Sequence, residues 1–396
     1  MIPISKMAGA VQPSATLAAG AKAKAMKAEG IQVFDFSLGE PDFPTPEHIC
    51  QAAVKAMRDG HTHYTPANGI PELRAAVARW YQKTYGIRYS AEQVIVSNGA
   101  KHSIHNALAA TVGAGDEVII PTPYWVSYSD LVQMTGASYA LVPTTFESGF
   151  KMTPAQLRQA VTPRSKLLML NSPSNPTGTV YTRQELEALA DVVLETKMAV
   201  LSDEIYEQLV YGDAKATCFA TLRPELAERT ITISGASKTY AMTGWRMGWS
   251  LGPVPLIKAM GNVQSQETGC PSSISQYAAL AALEGDQGCV AKMRGEFQAR
   301  RDLVCGRLSA MPGIRCPSPG GAFYAFFDVS SHFGRTLAGK KVIDSTSFCQ
   351  VALESAHVNL VTGAAFGAEG YVRLSFAASR EQINGGLDRL EALLKK

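Results

Sequence analysis

The stretch Thr230-Ile-Thr-Ile-Ser-Gly-Ala-Ser-Lys-Thr-Tyr-Ala-Met-Thr-Gly-Trp-Arg-Met-Gly248 decides how this chain is read. Its first five residues form a short run, four of them β-branched, that reads as a strand. Lys238 emerges just past the end of that strand. Small residues around it leave room for a ligand, and Arg246 follows eight positions later. An amine in such a place can condense with an aldehyde, and a fixed cation beside it can hold a phosphate. A Gly/Ser loop that happens to carry one lysine is the alternative, and one short match does not decide between the two.

Working outward, β-rich runs alternate with helical segments from about residue 90 to 260. The expected strands are 93–97, 116–120, 138–142, 166–171, 198–203, 230–234 and 249–252. Between them, Thr153-Pro-Ala-Gln156 offers an N-cap, a proline at the first helical position and a capping-box glutamine, and Thr182-Arg-Gln-Glu185 is a second capping box. This alternation predicts an α/β fold, a mostly parallel sheet covered by helices on both faces. After about residue 285 the pattern changes. A long charged helix over 287–311 leads into a run at 322–328, a helix near 345–355, strands at 358–361 and 371–376, and a closing helix from Ser379. That order predicts a smaller α+β unit.

In an open α/β sheet, ligands bind beyond the carboxyl ends of the strands. Four polar segments fall at such ends: Asn98-Gly-Ala-Lys101, Asn171-Ser-Pro-Ser-Asn-Pro-Thr-Gly178, Ser202-Asp-Glu-Ile-Tyr206 and the Lys238 loop. One polar strand end means little; four on one edge imply a cleft. Gly99, Ala100 and Lys101 open a helix whose backbone N–H groups can approach a phosphate, although such a glycine is also an ordinary turn. Arg246 would add a charge-assisted contact to the same phosphate; a plain surface arginine is its alternative. Asp203 ends an apolar strand, where a carboxylate can hold a proton on a heterocyclic nitrogen or simply cap a helix. Asn175 and Tyr206 can donate to a ring oxygen, or be a turn residue and a core aromatic. Trp125 is a stacking partner or part of the core. Arg373, among apolar residues of a strand, is costly to bury unless an anion meets it; a ligand carboxylate and an internal salt bridge both answer that need.

Bulk properties narrow the class. At 396 residues and 46% hydrophobic, the chain can bury a large core, and 18% charge with a net +3 gives no case for nucleic acid or a membrane surface. Its seven scattered cysteines contain no C-x-x-C pair, which argues for reduced thiols rather than a disulfide frame or a zinc site. No apolar run approaches membrane-spanning length, and the first ten residues lack the apolar core of a signal peptide, so a cytoplasmic location is expected. The pairs His61/His63 and His102/His105 have no third ligand at matching spacing, and no metal is expected.

Together, Ser37-Leu-Gly-Glu-Pro-Asp-Phe43, Tyr64-Thr-Pro-Ala-Asn-Gly69, the segments 171–178, 202–206 and 238–246, and Arg373 resemble a fold-type I, class I aminotransferase over essentially the whole chain. Thr122-Pro-Tyr-Trp-Val-Ser-Tyr128 and Gln12-Pro-Ser-Ala-Thr16 resemble the bacterial aspartate/prephenate branch. The resemblance implies a pyridoxal 5′-phosphate enzyme. Lys238 would hold the cofactor and shuttle a proton, Asp203 would face the pyridine nitrogen, and Asn175 and Tyr206 the phenolic oxygen. Trp125 would stack on the ring, and Gly39, Asn175 and Arg373 would hold the α-carboxylate. Tyr64 would reach the phosphate of a neighbouring subunit, implying a homodimer with shared sites. Lys101 is associated in this branch with a distal carboxylate. The resemblance also implies an N-terminal segment (1–45) joining a small domain (286–396) beside a large cofactor-binding domain (46–285).

Two departures stand out. Relatives often carry serine three residues before the lysine; this chain has Gly235, leaving Ser234 or Ser237 to contact the phosphate. Relatives that use prephenate tend to have a basic residue where Gln12 stands. The implied activity is exchange of L-aspartate and 2-oxoglutarate for oxaloacetate and L-glutamate, by a ping-pong route through pyridoxamine phosphate. Prephenate or aromatic transamination, or a β-elimination, are the other enzymatic readings. An aminotransferase-like regulator would need a DNA-binding unit that the sequence does not offer.

Overall fold

The computed structural model describes residues 2–11 and 13–395. Its centre is a seven-stranded sheet. In spatial order the strands are Val94–Asn98, Met247–Leu251, Thr230–Gly235, Ala199–Asp203, Ser165–Asn171, Glu117–Thr122 and Ser138–Pro143. Every neighbouring pair is parallel except the two made by Met247–Leu251, which runs against both of its partners. All seven expected strands are present, with every end within two residues of its expected position.

The residue alternation explains how the sheet is covered. Val94, Val96, Trp249 and Leu251 pack with Leu73, Val77, Tyr81 and Ala278, so helices Pro71–Tyr85 and Ser273–Glu284 lie on one face. Ile95, Ile120, Leu201 and Ile233 pack with Ile104, Leu108, Ile257 and Met260, so helices Ala100–Thr111 and Val254–Glu267 lie on the other. Each such buried aliphatic side chain contributes about 1.5–3 kcal/mol, which fixes strand register because a one-residue slip would exchange the faces. The capping boxes at Thr153/Gln156 and Thr182/Glu185 are both formed and start helices Pro154–Ala160 and Arg183–Leu194. From the neighbouring strands Glu117–Thr122 and Ser165–Asn171 the chain proceeds in opposite directions across the sheet, and a crevice opens where the order reverses.

The C-terminal part builds a second, antiparallel sheet of Val361–Thr362, Tyr371–Ser375 and Tyr324–Asp328. Helices Gly288–Ser309, Ser345–Ala356 and Arg380–Leu394 accompany it. Phe34–Asp35, from the N-terminal region, pairs in parallel with Val358–Asn359, and Phe34 and Phe36 share a core with Leu387 and Leu390. The single strand expected over 358–361 is therefore two short ones that pair with different partners. Buried Leu360 lies between them. The run at 322–328 is extended only from Tyr324, because Ala322 has φ +55°. Among the described residues no helix is long and apolar enough to cross a membrane.

Candidate active site

The carboxyl ends of 94–98, 165–171, 199–203 and 230–235 open onto one cavity of about 260 Å³, closed on its far side by the second sheet. Lys238, Asp203, Tyr206, Asn175, Arg373, Trp125, Lys101, Ala100, Ser237, Arg246 and Gly39 all line it. Four strand ends, the first at Asn98 and the last at Gly235, thus deliver their polar groups to one place.

Lys238 sits on the short helix Ala236–Thr239, entered directly from the strand. Its Nζ donates to the Gly39 carbonyl at 2.5 Å. Burial pushes the amine down to about 8; Glu40 opposes that shift, while the Arg246 and Arg373 charges reinforce it. Asp203 is only 4% exposed. Its Oδ1 accepts from the Ile205 N–H at 3.2 Å, and its Oδ2 accepts from the buried Tyr128 hydroxyl at 2.6 Å. Burial raises the carboxyl to about 6, against the pull of those two donors. No helix directly follows Asp203, so it is not a helix cap; its carboxylate braces the turn after its own strand and faces the cavity.

Arg373 is 1% exposed, in the middle of Tyr371–Ser375. Its Nη1 donates to Asn175 Oδ1 at 2.9 Å and its Nη2 to the Ser37 carbonyl at 2.7 Å, while Nε has no partner. The Tyr324 and Phe366 rings lie 4.5 and 5.1 Å from the guanidinium. No carboxylate pairs with it among the described residues, so the internal salt bridge is absent, and burial lowers its pKa. A desolvated guanidinium met only by neutral oxygens and π faces has unused capacity for an anion.

Gly99 precedes helix Ala100–Thr111 and has φ +86°. A Cβ there would fall 2.5 Å from Arg246 Nη2, so only glycine lets the arginine lie against the helix start. Gly248 is equally constrained, since its Cβ would strike the Ala100 nitrogen at 2.3 Å. A guanidinium and a helix N-terminus with no acid between them form an anion cradle. Trp125 packs edge-on against Tyr128 at 5.5 Å, and Lys101 Nζ lies 4.9 Å from the Trp125 ring centre. The Tyr206 hydroxyl is 2.8 Å from that of Tyr324, and burial holds its pKa well above the usual phenol range.

One of the two serines named for the phosphate is elsewhere. Ser234 does not reach the cavity: its hydroxyl is buried and donates to Glu207 Oε1 at 3.0 Å, because side chains alternate along the strand. Ser237 is the serine at the cavity. Tyr64 is 97% exposed and takes no part in lining this chain's own cavity. Gln12 lies outside the described residues. His102 and His105 both contact Glu267, at 3.3 and 2.8 Å.

Sequence reasoning missed Tyr128, Tyr324, Ile104 and the N-terminal lining residues Ser14, Thr16 and Leu17. A signal existed for Tyr128, which follows Trp125 by three residues in the same quoted segment. Nothing local marks Tyr324, whose place depends on the second sheet.

The family model described as aminotransferase class I and II matches residues 31–390. The aspartate/prephenate aminotransferase of Cereibacter sphaeroides is 47% identical over 96% of each chain. The aspartate aminotransferase of Geobacillus stearothermophilus is 44% identical over 99% of each. Among solved structures, the aspartate aminotransferase of Rhizobium meliloti superposes with a TM-score of 0.97 at 42% identity, covering 100% of this chain and 99% of that one. The Thermus thermophilus aspartate aminotransferase with maleate superposes at 0.94, with 40% identity and 100% of both chains covered.

Proposed function

The chain belongs to the class I and II aminotransferases, and we propose that it is an aspartate aminotransferase exchanging L-aspartate and 2-oxoglutarate for oxaloacetate and L-glutamate with pyridoxal 5′-phosphate. The observation that carries this reading is Arg373, a guanidinium 1% exposed with no carboxylate partner, facing the same cavity as the Lys238 amine.

The donor set fits the cofactor. The Arg246 and Gly99–Ala100 cradle suits a phosphate, the buried Asp203 carboxylate a cationic ring nitrogen, and the Lys238 amine an aldehyde. Bound there, pyridoxal phosphate supplies an aldehyde that captures amino groups and a ring that withdraws electrons from the substrate Cα. The chain's own residues do the rest. With its pKa down to about 8, Lys238 is partly neutral near physiological pH and is a competent nucleophile and proton carrier at Cα. Asp203 stays ionised above about pH 6 and would keep a nearby ring nitrogen protonated. Arg373 would clamp the α-carboxylate, with Asn175 fixing its fork. Lys101 at the cavity mouth would meet the distal carboxylate.

The relatives named aspartate aminotransferase support the substrate assignment, as does the Thermus protein solved with the dicarboxylate maleate. The neutral Gln12 argues for weak use of prephenate. An exposed Tyr64 suits contact with the phosphate of a second copy, and we infer a homodimer with shared sites. The division into 1–45 with 286–396, and 46–285, is proposed on the strand pairing of Phe34–Asp35 with Val358–Asn359. The scattered thiols favour the cytoplasm.

Mixing the cofactor-loaded protein with single amino acids, and following the cofactor's absorbance, tests the assignment. Aspartate and glutamate should convert it fastest. Faster conversion by phenylalanine, or release of ammonia from a β-substituted substrate, would replace it with one of the alternatives.

A further inference from the structure

Directly behind the cavity, the turn that follows Asp203 buries two carboxyl groups that the site itself does not use. Glu207 is 4% exposed and Glu204 2%. Neither makes an ion pair with Lys, Arg or His among the described residues; their partners are hydroxyls and a backbone N–H. Glu207 Oε2 accepts from the Tyr85 hydroxyl at 2.5 Å, and Oε1 from the Ser234 hydroxyl at 3.0 Å. Tyr85 closes helix Pro71–Tyr85. Ser234 lies in the strand that delivers Lys238. Glu207 therefore ties together three elements: the turn bearing Asp203 and Tyr206, the strand leading to Lys238, and a covering helix.

The cost of this arrangement makes it informative. A buried carboxyl without a cation is destabilising relative to an apolar side chain of similar size. Burial pushes Glu207 up to about 7 and Glu204 to about 8. The tie also lies where small errors are amplified. The Glu204 N–H donates to the Ile233 carbonyl at 2.8 Å. A Cβ on Gly235 would meet Ile205 Cδ1 at 3.3 Å, so turn and strand are in direct contact three residues before Lys238.

We propose that Glu207 is a positioning residue that sets the distance between Asp203 and Lys238 by clamping their two strand ends through Ser234. This rests on the aminotransferase reading for its kinetic readout, and on the cofactor-free protein for an independent one. Substrate anchoring by Arg373 and Lys101 lies on other elements, so the clamp governs chemistry rather than affinity.

Four variants test it: Glu207→Leu, Glu207→Gln, Ser234→Ala and the double variant Glu207→Leu/Ser234→Ala. For Glu207→Leu, kcat should fall about 10- to 100-fold, the scale of a displacement of roughly 1 Å, with KM for aspartate within about twofold. Glu207→Gln keeps an acceptor oxygen and should recover to within about threefold of the native protein, and Ser234→Ala should lose activity without adding to the loss in the double variant. In cofactor-free protein, the acylation rate of Lys238 by acetic anhydride, read by peptide mass spectrometry, should change in Glu207→Leu and Ser234→Ala and be restored in Glu207→Gln. Unchanged kcat and unchanged lysine reactivity in Ser234→Ala would overturn the proposal, even if Glu207→Leu fails to fold. So would equal impairment by Gln and Leu. A native protein that transaminates nothing would refute the function instead, leaving lysine reactivity to judge the clamp.

Discussion

The two sheets place their charges on the cavity in opposite ways. The seven-stranded sheet offers Asp203 and Lys238 at or just beyond strand ends, where the carboxylate accepts from a backbone N–H and the amine donates to a backbone carbonyl. The three-stranded sheet offers Arg373 from mid-strand, in register with Phe326 and Val361, where no backbone donor or acceptor of its own strand is spare. The groups at the strand ends have pKa values brought toward neutrality, about 6 and about 8. The mid-strand group stays a fixed cation held by Asn175, Ser37 and two rings. Under the proposed function the difference would separate two tasks: the groups whose charge matters to the chemistry sit where burial and hydrogen-bond partners tune them, and the group that would bind substrate is fixed within a strand.

That contrast breaks most severely at Lys238. Lys238→Ala should keep a phosphate-binding cradle at Gly99 and Arg246 and lose turnover by about 10⁴-fold, the upper range for a positioned proton carrier. The measurement is kcat/KM for aspartate at saturating cofactor, with cofactor retention checked by absorbance. Native-like turnover would remove the lysine from the chemistry.

Arg373→Ala comes next. Removing the fixed cation should cost about 3–5 kcal/mol in kcat/KM, the scale for stranding one member of a buried ion pair. The loss should be uniform across amino acids, because all of them carry the α-carboxylate. A loss restricted to aspartate and glutamate would move Arg373 to the distal group and dissolve the division of tasks.

The contrast also explains what the sequence made legible. Each large-sheet strand is an apolar run followed by a polar residue, so strand, direction and strand-end groups are all visible locally, as with Met198 to Asp203. The choice between Ser234 and Ser237 stays open in the sequence because alternation fixes which residues share a face, while which face meets the cavity depends on tertiary packing. For Arg373 the sequence left two explanations standing, since the absence of a carboxylate partner is a property of residues such as Asn175, 198 positions away. Tyr324 became visible only when distant elements came together, and Tyr128, though close to Trp125 in sequence, finds Asp203 only across the fold.

A smaller effect is expected at the cavity mouth. Lys101 reaches over the Trp125 ring, and partial burial together with the Arg246 charge lowers its pKa. Lys101→Ala should weaken aspartate and glutamate relative to alanine and phenylalanine by about 1.5–3 kcal/mol, the value of one hydrogen bond to a charged group. Substrate profiles of kcat/KM give the answer. A uniform loss would place Lys101 with the phosphate cradle rather than with the substrate.

The smallest expected effect sharpens the tuning half of the comparison. Tyr128→Phe removes the hydroxyl that donates to Asp203 Oδ2 and leaves the ring packed against Trp125. Burial already raises the Asp203 pKa to about 6 from its ordinary 3.8, so the native fold binds a proton there that the unfolded chain releases. Stability from this group is therefore highest at acid pH and falls as pH rises through about 6. The Tyr128 hydroxyl opposes that rise by stabilising the carboxylate, so its loss should move the pKa further up and deepen the fall. Cofactor-free Tyr128→Phe should differ little from native at pH 5, where Asp203 is protonated in both. At pH 8 it should be less stable by an additional ~1.5 kcal/mol, the lower end for a hydrogen bond to a charged group. Apparent melting temperatures of both proteins at the two pH values supply the test. A variant equally destabilised at pH 5 and 8 would mean that Tyr128 packs without tuning, and that burial alone sets the charge of Asp203.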